Sequence, residues 1–180
     1  MRELADRDRI SRFMVALGSE ARTRARVYFT GGATAVLEGW RSSTIDVDVV
    51  IVPETEVLRT LPELKEHLHL NVELASPAHF IPVLPGWEER SPFVAQHGLL
   101  SFHHFELVAQ ALAKIERGHS QDQADVAQML ARGLVSAAQL RDYFDKIEPQ
   151  LYRHPAIDPP SFRAALEAAA PIDDGQAGLR

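Results

Sequence analysis

Asp46 and Asp48 stand at i and i+2 in the run Thr44–Val52, thirteen residues after the pair Gly31-Gly32. Alternate residues of a strand share one face, so both carboxylates project to the same side. The glycines free a turn for the close approach of a phosphate. Two adjacent carboxylates repel one another, and burying them without a counter-charge is costly. Magnesium is the simplest counter-charge, because it takes carboxylate oxygens together with those of a phosphate chain. A pair of such ions holds both the attacking and the leaving oxygen of an in-line displacement. Phosphate and a divalent cation are therefore the expected guests, and a nucleotidyl-transfer site the expected use.

Positioning those residues takes a strand on each side of the glycine turn. Arg26 to Phe29 supplies β-branched and aromatic residues and reads as the first strand. Residues 32–38 read as a short helix whose first amides face whatever lies beside the glycines. In Thr44–Val52 the series Asp46, Asp48, Val50 alternates with Ile45, Val47, Val49. Leu70–Leu74 alternates again, with Leu70, Val72 and Leu74 on one face and Asn71 and Glu73 on the other. Glu73 is thereby a third acid facing the same way, suited to ligate a metal or to deprotonate an attacking hydroxyl. Between helix and metal strand, Arg41, Ser42, Ser43 and Thr44 offer a guanidinium and hydroxyls to triphosphate oxygens. The hydroxyls serve equally well as ordinary turn residues.

Around this centre, Ile10, Phe13, Met14 and Leu17 predict a helix over 4–17 that stops at Gly18, and a second helix is expected over 54–67, with Pro62 setting a kink or a late start. The prolines of Ser76–Pro92 predict an ordered loop or lid anchored by Phe80, Ile81 and Trp87. A hairpin is expected from 93–96 and 99–102 around His97-Gly98. From about residue 104 the spacing becomes helical: one segment to Gly118, then 121–132, then 136–147 with Ser136 as cap, and one more at 160–169.

The string TGG, a gap of thirteen, then DVDV resembles the signature of the DNA polymerase β-like nucleotidyltransferase superfamily. The wider stretch YFTGGATAVLEGWRSSTIDVDVV is similar to small prokaryotic members, including the toxin-type nucleotidyltransferases of toxin-antitoxin systems. The resemblance implies an α+β fold with a minimal mixed sheet flanked by helices, here over 1–103, while the spacing and the chain end predict a helical module over 104–170 and a flexible tail at 171–180. It implies an NTP substrate held between core and module, two Mg2+ ions (with Mn2+ as an alternative), and release of pyrophosphate. By the same analogy Gly31 and Gly32 hold the triphosphate, Asp46 and Asp48 the metals, and Glu73 takes the place of the third acid. The stretch ALAKIERGHSQDQADV looks like the family's second module, in which a Lys and a following Asp complete the nucleotide site. That maps to Lys114 with Asp122 or Asp125, although Lys114 could instead be solvated or paired with a neighbouring acid.

Composition bounds the partners. The 180 residues contain no cysteine, which excludes thiolate metal sites, cysteine nucleophiles and disulfides. No apolar run approaches a membrane span, so a soluble cytoplasmic protein is expected. A net charge of -6 disfavours unspecific binding to nucleic acid. The arginine-rich segment 1–26 nevertheless leaves a tRNA end or similar short target open as acceptor, beside a protein or a small molecule. A cognate antitoxin or a second copy of the chain is a further candidate partner. The pairs His67/His69 and His103/His104 lack the i, i+4 spacing of a helical zinc site and read as structural or surface histidines. Ser101 with His103 lacks a nucleophile elbow. Trp40 and Trp87 read as core or loop anchors ahead of base-stacking platforms. The competing function is the same fold kept as an inert binding module or antitoxin-like partner; a phosphohydrolase releasing inorganic phosphate is a third.

Overall fold

The computed structural model describes residues 3–171, so the tail expected at 171–180 lies, but for Pro171, outside the described residues. The fold is α+β, with a mixed five-stranded sheet and a helical C-terminal part. Two compact units emerge: the chain up to His79 joined by Gly86–Glu106, and Phe80–Pro85 joined by the chain from Leu107 onward.

The first unit is built on the sheet. In chain order its strands are β1 (Ala5–Asp6), β2 (Ala25–Thr30), β3 (Ser43–Thr44), β4 (Asp46–Val52), β5 (Asn71–Leu74), β6 (Phe93–His97) and β7 (Leu100–His104). The main sheet has the order β5-β4-β2-β7-β6, and β1 and β3 form a separate two-stranded pair. β4 runs antiparallel to β2 and parallel to β5, while β2 runs parallel to β7. Alternation decides what each strand buries: Val27 and Phe29, Val47, Val49 and Ile51, and Leu100 and Phe102 enter one apolar core. The helix α1 (Arg7–Glu20) adds Ile10, Phe13, Met14 and Leu17 to it, and α2 (Gly31–Glu38) adds Ala33, Val36 and Leu37. Ile45 precedes β4 and is 69% exposed, so the apolar face of that strand begins at Val47.

Four expectations need correction. Helix α1 starts and ends later than 4–17, because Asp6 caps it by accepting from the Arg9 amide and Ala5 belongs to β1. Gly18 is not its stop but a buried contact, where a Cβ would lie 2.6 Å from His97 Cβ. Gly18→Ala should therefore destabilise the protein by roughly 1–3 kcal/mol, read from the urea midpoint, because the obstructing atoms include the His97 carbonyl and cannot rotate away. The segment 54–67 is broken: a 3-10 turn at Glu56–Arg59 precedes α3 (Leu61–His67), with Pro62 in the first turn, the late-start alternative. Finally, Leu74 is 56% exposed rather than facing the core beside Val72, because the strand reaches its end there. The hairpin turn also shifts by one residue, to Gly98-Leu99, with Gly98 at φ 55°.

Trp87 anchors its loop as expected, stacking on Phe105 with ring centroids 4.1 Å apart and meeting Tyr28 edge-on at 4.7 Å. In the second unit α4 (Leu107–Arg117), α5 (Ser120–Ala131), α6 (Ala137–Ile147) and α7 (Pro159–Ala169) pack around Leu112, Val126, Leu140, Phe144 and Leu166. Ser136 completes a reciprocal capping box with Gln139 at the start of α6. Ile81 is fully buried and Leu84 donates its amide to the Tyr143 hydroxyl at 2.9 Å, so both tie the short Phe80–Pro85 segment to this unit. Among the described residues no helix is long and apolar enough to cross a membrane.

Candidate active site

The period of β4 places Asp46 and Asp48, both half-buried, on the sheet face opposite the apolar core. Register fixes their neighbours: Asp48 lies across from Thr30 of β2 and Glu73 of β5, and Asp46 across from Asn71. β2 ends at Thr30 and α2 starts at once, with Gly31 at φ 58°. A side chain there is strained, and a Cβ would approach Asp48 Oδ2 to 2.8 Å. Gly31 therefore lets the first turn of a helix close onto a carboxylate. Gly32 has a different cause: a Cβ would fall on the Thr44 hydroxyl, which donates to the Asp46 carbonyl at 3.1 Å. The Arg41 guanidinium lies 3.4 Å from the same point, beside the start of α2. Ser43 pairs with Asp6 in the small sheet and Ser42 is an exposed bend residue, so both have turn and strand duties.

Glu73 is exposed and faces the same way as Asp48. Asn71, which alternation puts on the Glu73 face without a role, ties the two strands. Asn71 donates through one amide nitrogen to Asp46 and, at 3.0 Å, to Glu73 Oε1. Among the described residues no three His, Asp or Glu side chains are arranged to hold a metal ion. The carboxylate pair of β4 is the part of this face whose oxygen donors suit a divalent cation.

Helix α2 is fixed from below by a buried histidine. His104 Nδ1 meets the Thr34 hydroxyl at 3.1 Å and Nε2 meets Glu38 at 2.9 Å, so one ring spans the helix from first turn to last. Burial holds His104 down to about 4, outweighing the neighbouring Glu38 carboxylate, with Arg7 and His103 adding repulsion. The neutral ring then donates Nε2–H to Glu38 and sets Nδ1 against the Thr34 hydroxyl, which also faces the Phe29 carbonyl at 3.1 Å. Since the folded pKa lies below the unfolded 6.5, the stabilisation is complete above pH 6.5 and is lost as pH falls toward 4. At about 1.4 kcal/mol per unit the loss is of order 3 kcal/mol. A His104→Asn variant should lack this component, which urea titrations between pH 7 and pH 4 will read as a shallower pH dependence.

In the second unit, considered by itself, Lys114, Asp122 and Asp125 do come together. Lys114 Nζ lies 2.7 Å from Asp125 Oδ2 and 3.4 Å from Asp122 Oδ1, and Arg117 adds a 2.6 Å contact to Asp122. Lys114 is 4% exposed and Asp125 1%, so this is a desolvated ionic cluster between α4 and α5.

The family model described as nucleotidyltransferase of unknown function (DUF6036) matches residues 6–154, and the chain belongs to that family. No match was found among curated proteins or among solved structures.

Proposed function

We propose that this protein transfers a nucleoside monophosphate from an NTP to a hydroxyl acceptor, releasing pyrophosphate. The observation that supports the reading is the placement of Asp46 and Asp48 on one face of β4, against the Gly31 start of α2. Asp46 and Asp48 would hold a divalent cation, which when bound would supply charge neutralisation to the phosphates. The amides at the start of α2 and the Arg41 guanidinium receive the triphosphate, whose charge suits a helix N-terminus. Glu73 accepts the acceptor's proton, its exposure leaving it free to exchange with water. The acceptor is an RNA end, a protein side chain or a small molecule, in a toxin-type setting within the cytoplasm, as the resemblance of the Tyr28–Val50 stretch suggests.

A second reading, a nucleotide-binding module without chemistry, is favoured by one observation: the Asn71 amide is already engaged by Asp46 and Glu73. Incubation with α-labelled NTPs and Mg2+ across RNA, protein and small-molecule acceptor pools separates the two. Metal-dependent labelling with stoichiometric pyrophosphate supports transfer; nucleotide binding without labelling supports the module; release of inorganic phosphate alone refutes both.

A further inference from the structure

The face of the sheet that bears the aspartates continues along β2 to a second, separate cavity. On β2, Val27 and Phe29 point into the core, which leaves Arg26 and Tyr28 on the same side as Thr30 and Asp48. Ser101 follows on β7, in register with Arg26. These residues floor a cavity of about 710 Å³, a size typical of small-molecule sites. Along β2, Tyr28 and Arg26 lie roughly 7 and 13 Å from Thr30, the register partner of Asp48, at about 3.3 Å per residue.

Three features of this cavity call for a ligand. The Tyr28 side chain is fully buried, its ring walled by Trp87, His103 and Phe105. Its hydroxyl has no partner in hydrogen-bonding geometry, although the Arg26 guanidinium lies close enough to act on the phenol. A buried, unpaired hydroxyl is costly, and a group entering the cavity would satisfy it. Second, the charges are sorted by wall. Arg24 and Arg26 lie on the β2 side, and Glu88 and Glu89 on the loop after Gly86. No contact ion pair joins the walls, although Glu88 and Glu89 act on Arg26 through space. Third, Val52, Pro53 and Leu99 give the cavity an apolar flank.

Equal numbers of opposite charges cancel the attraction for a simple anion or a simple cation. A molecule that carries both charges gains at each end, and the apolar flank takes its side chain. We propose that this cavity binds a free α-amino acid with an apolar side chain, its carboxylate on Arg26 and the Tyr28 hydroxyl and its ammonium on Glu88 and Glu89. The proposal rests on the cavity alone and is independent of the reading of Asp46 and Asp48.

Titration calorimetry of the full chain with leucine and phenylalanine tests it, beside their N-acetyl and amide derivatives and inorganic phosphate. The free amino acid should bind, and capping either end should weaken binding by about tenfold or more, as loss of a charge-assisted hydrogen bond does. Arg26→Gln and the double variant Glu88→Gln/Glu89→Gln should each weaken it comparably. Tyr28→Phe should weaken binding while leaving the unliganded melting temperature unchanged or raised, since it removes a hydroxyl with no partner. Absence of binding at millimolar concentration overturns the proposal. So do capped derivatives or phosphate binding as well as the free amino acid, and so does a Tyr28→Phe variant that melts lower without ligand.

Discussion

Asp48→Asn should reduce nucleotidyl transfer by roughly 10³-fold or more in kcat/KM, with the fold retained. The substitution keeps shape and removes one negative charge at the point where Gly31 brings the helix start against the carboxylate. Losing a single preorganised electrostatic contact in a transfer site costs about 10²–10³ in rate, and a residue that would hold a divalent cation there would carry at least as much. Asp46→Asn should show a loss of similar size. Glu73→Gln distinguishes between the two roles open to Glu73. A base contributes about 10²–10⁴ and its loss flattens the acidic limb of the pH–rate profile. A ligand instead shifts the Mg2+ concentration needed for half-maximal rate while the profile keeps its shape. Initial rates with α-labelled NTP over a grid of pH and Mg2+ supply both readouts. A Glu73→Gln variant identical to wild type on both axes, beside inactive Asp46 and Asp48 variants, would reduce the chemistry to the β4 pair and remove Glu73 from the mechanism proposed above.

The alternation of Asp46, Val47, Asp48 and Val49 is a strong period-2 signal. It survives folding because β4 is held by a strand on each flank and has no freedom to slip register. The sharing of a face by Asp48 and Glu73 was equally readable, since it needs only two period-2 runs and a parallel neighbour. What alternation does not encode is how far a face stays covered. Leu74 continues the apolar series of β5 yet is exposed, because burial depends on what packs over the strand end. Gly18 illustrates the complementary failure: a glycine near a helix end signals a stop by its backbone, but here it answers to a side chain nearly eighty residues away in β6. Asn71 and His104 escaped for the same reason. Each acts through partners brought near by the sheet and helix packing: Asn71 through Asp46, and His104 through Thr34 and Glu38. Alternation put Asn71 on the Glu73 face, and His104 read as a structural or surface histidine, but neither signal names a partner.

Lys114→Met should be the most destabilising of these substitutions, by about 3–5 kcal/mol. It leaves Asp125, 1% exposed, without its cation in a site from which water is excluded. Arg117 cannot substitute, since its contact is to Asp122. For a chain of this size the thermal midpoint should fall by about 10 °C, at roughly 2–4 °C per kcal/mol. The double variant Lys114→Met/Asp125→Asn should recover most of the loss, because an apolar and a neutral polar group of similar volume no longer confine an isolated charge. That recovery separates packing from chemistry at a residue for which both have been argued. The resemblance puts Lys114 in the nucleotide site, while the geometry shows it held by Asp122 and Asp125. If the cluster serves only the helical unit, the double variant should melt like wild type and turn over NTP at the wild-type rate. If Lys114 also meets the nucleotide, stability returns while KM for NTP stays raised. Melting curves and initial rates on the same two variants decide between these outcomes.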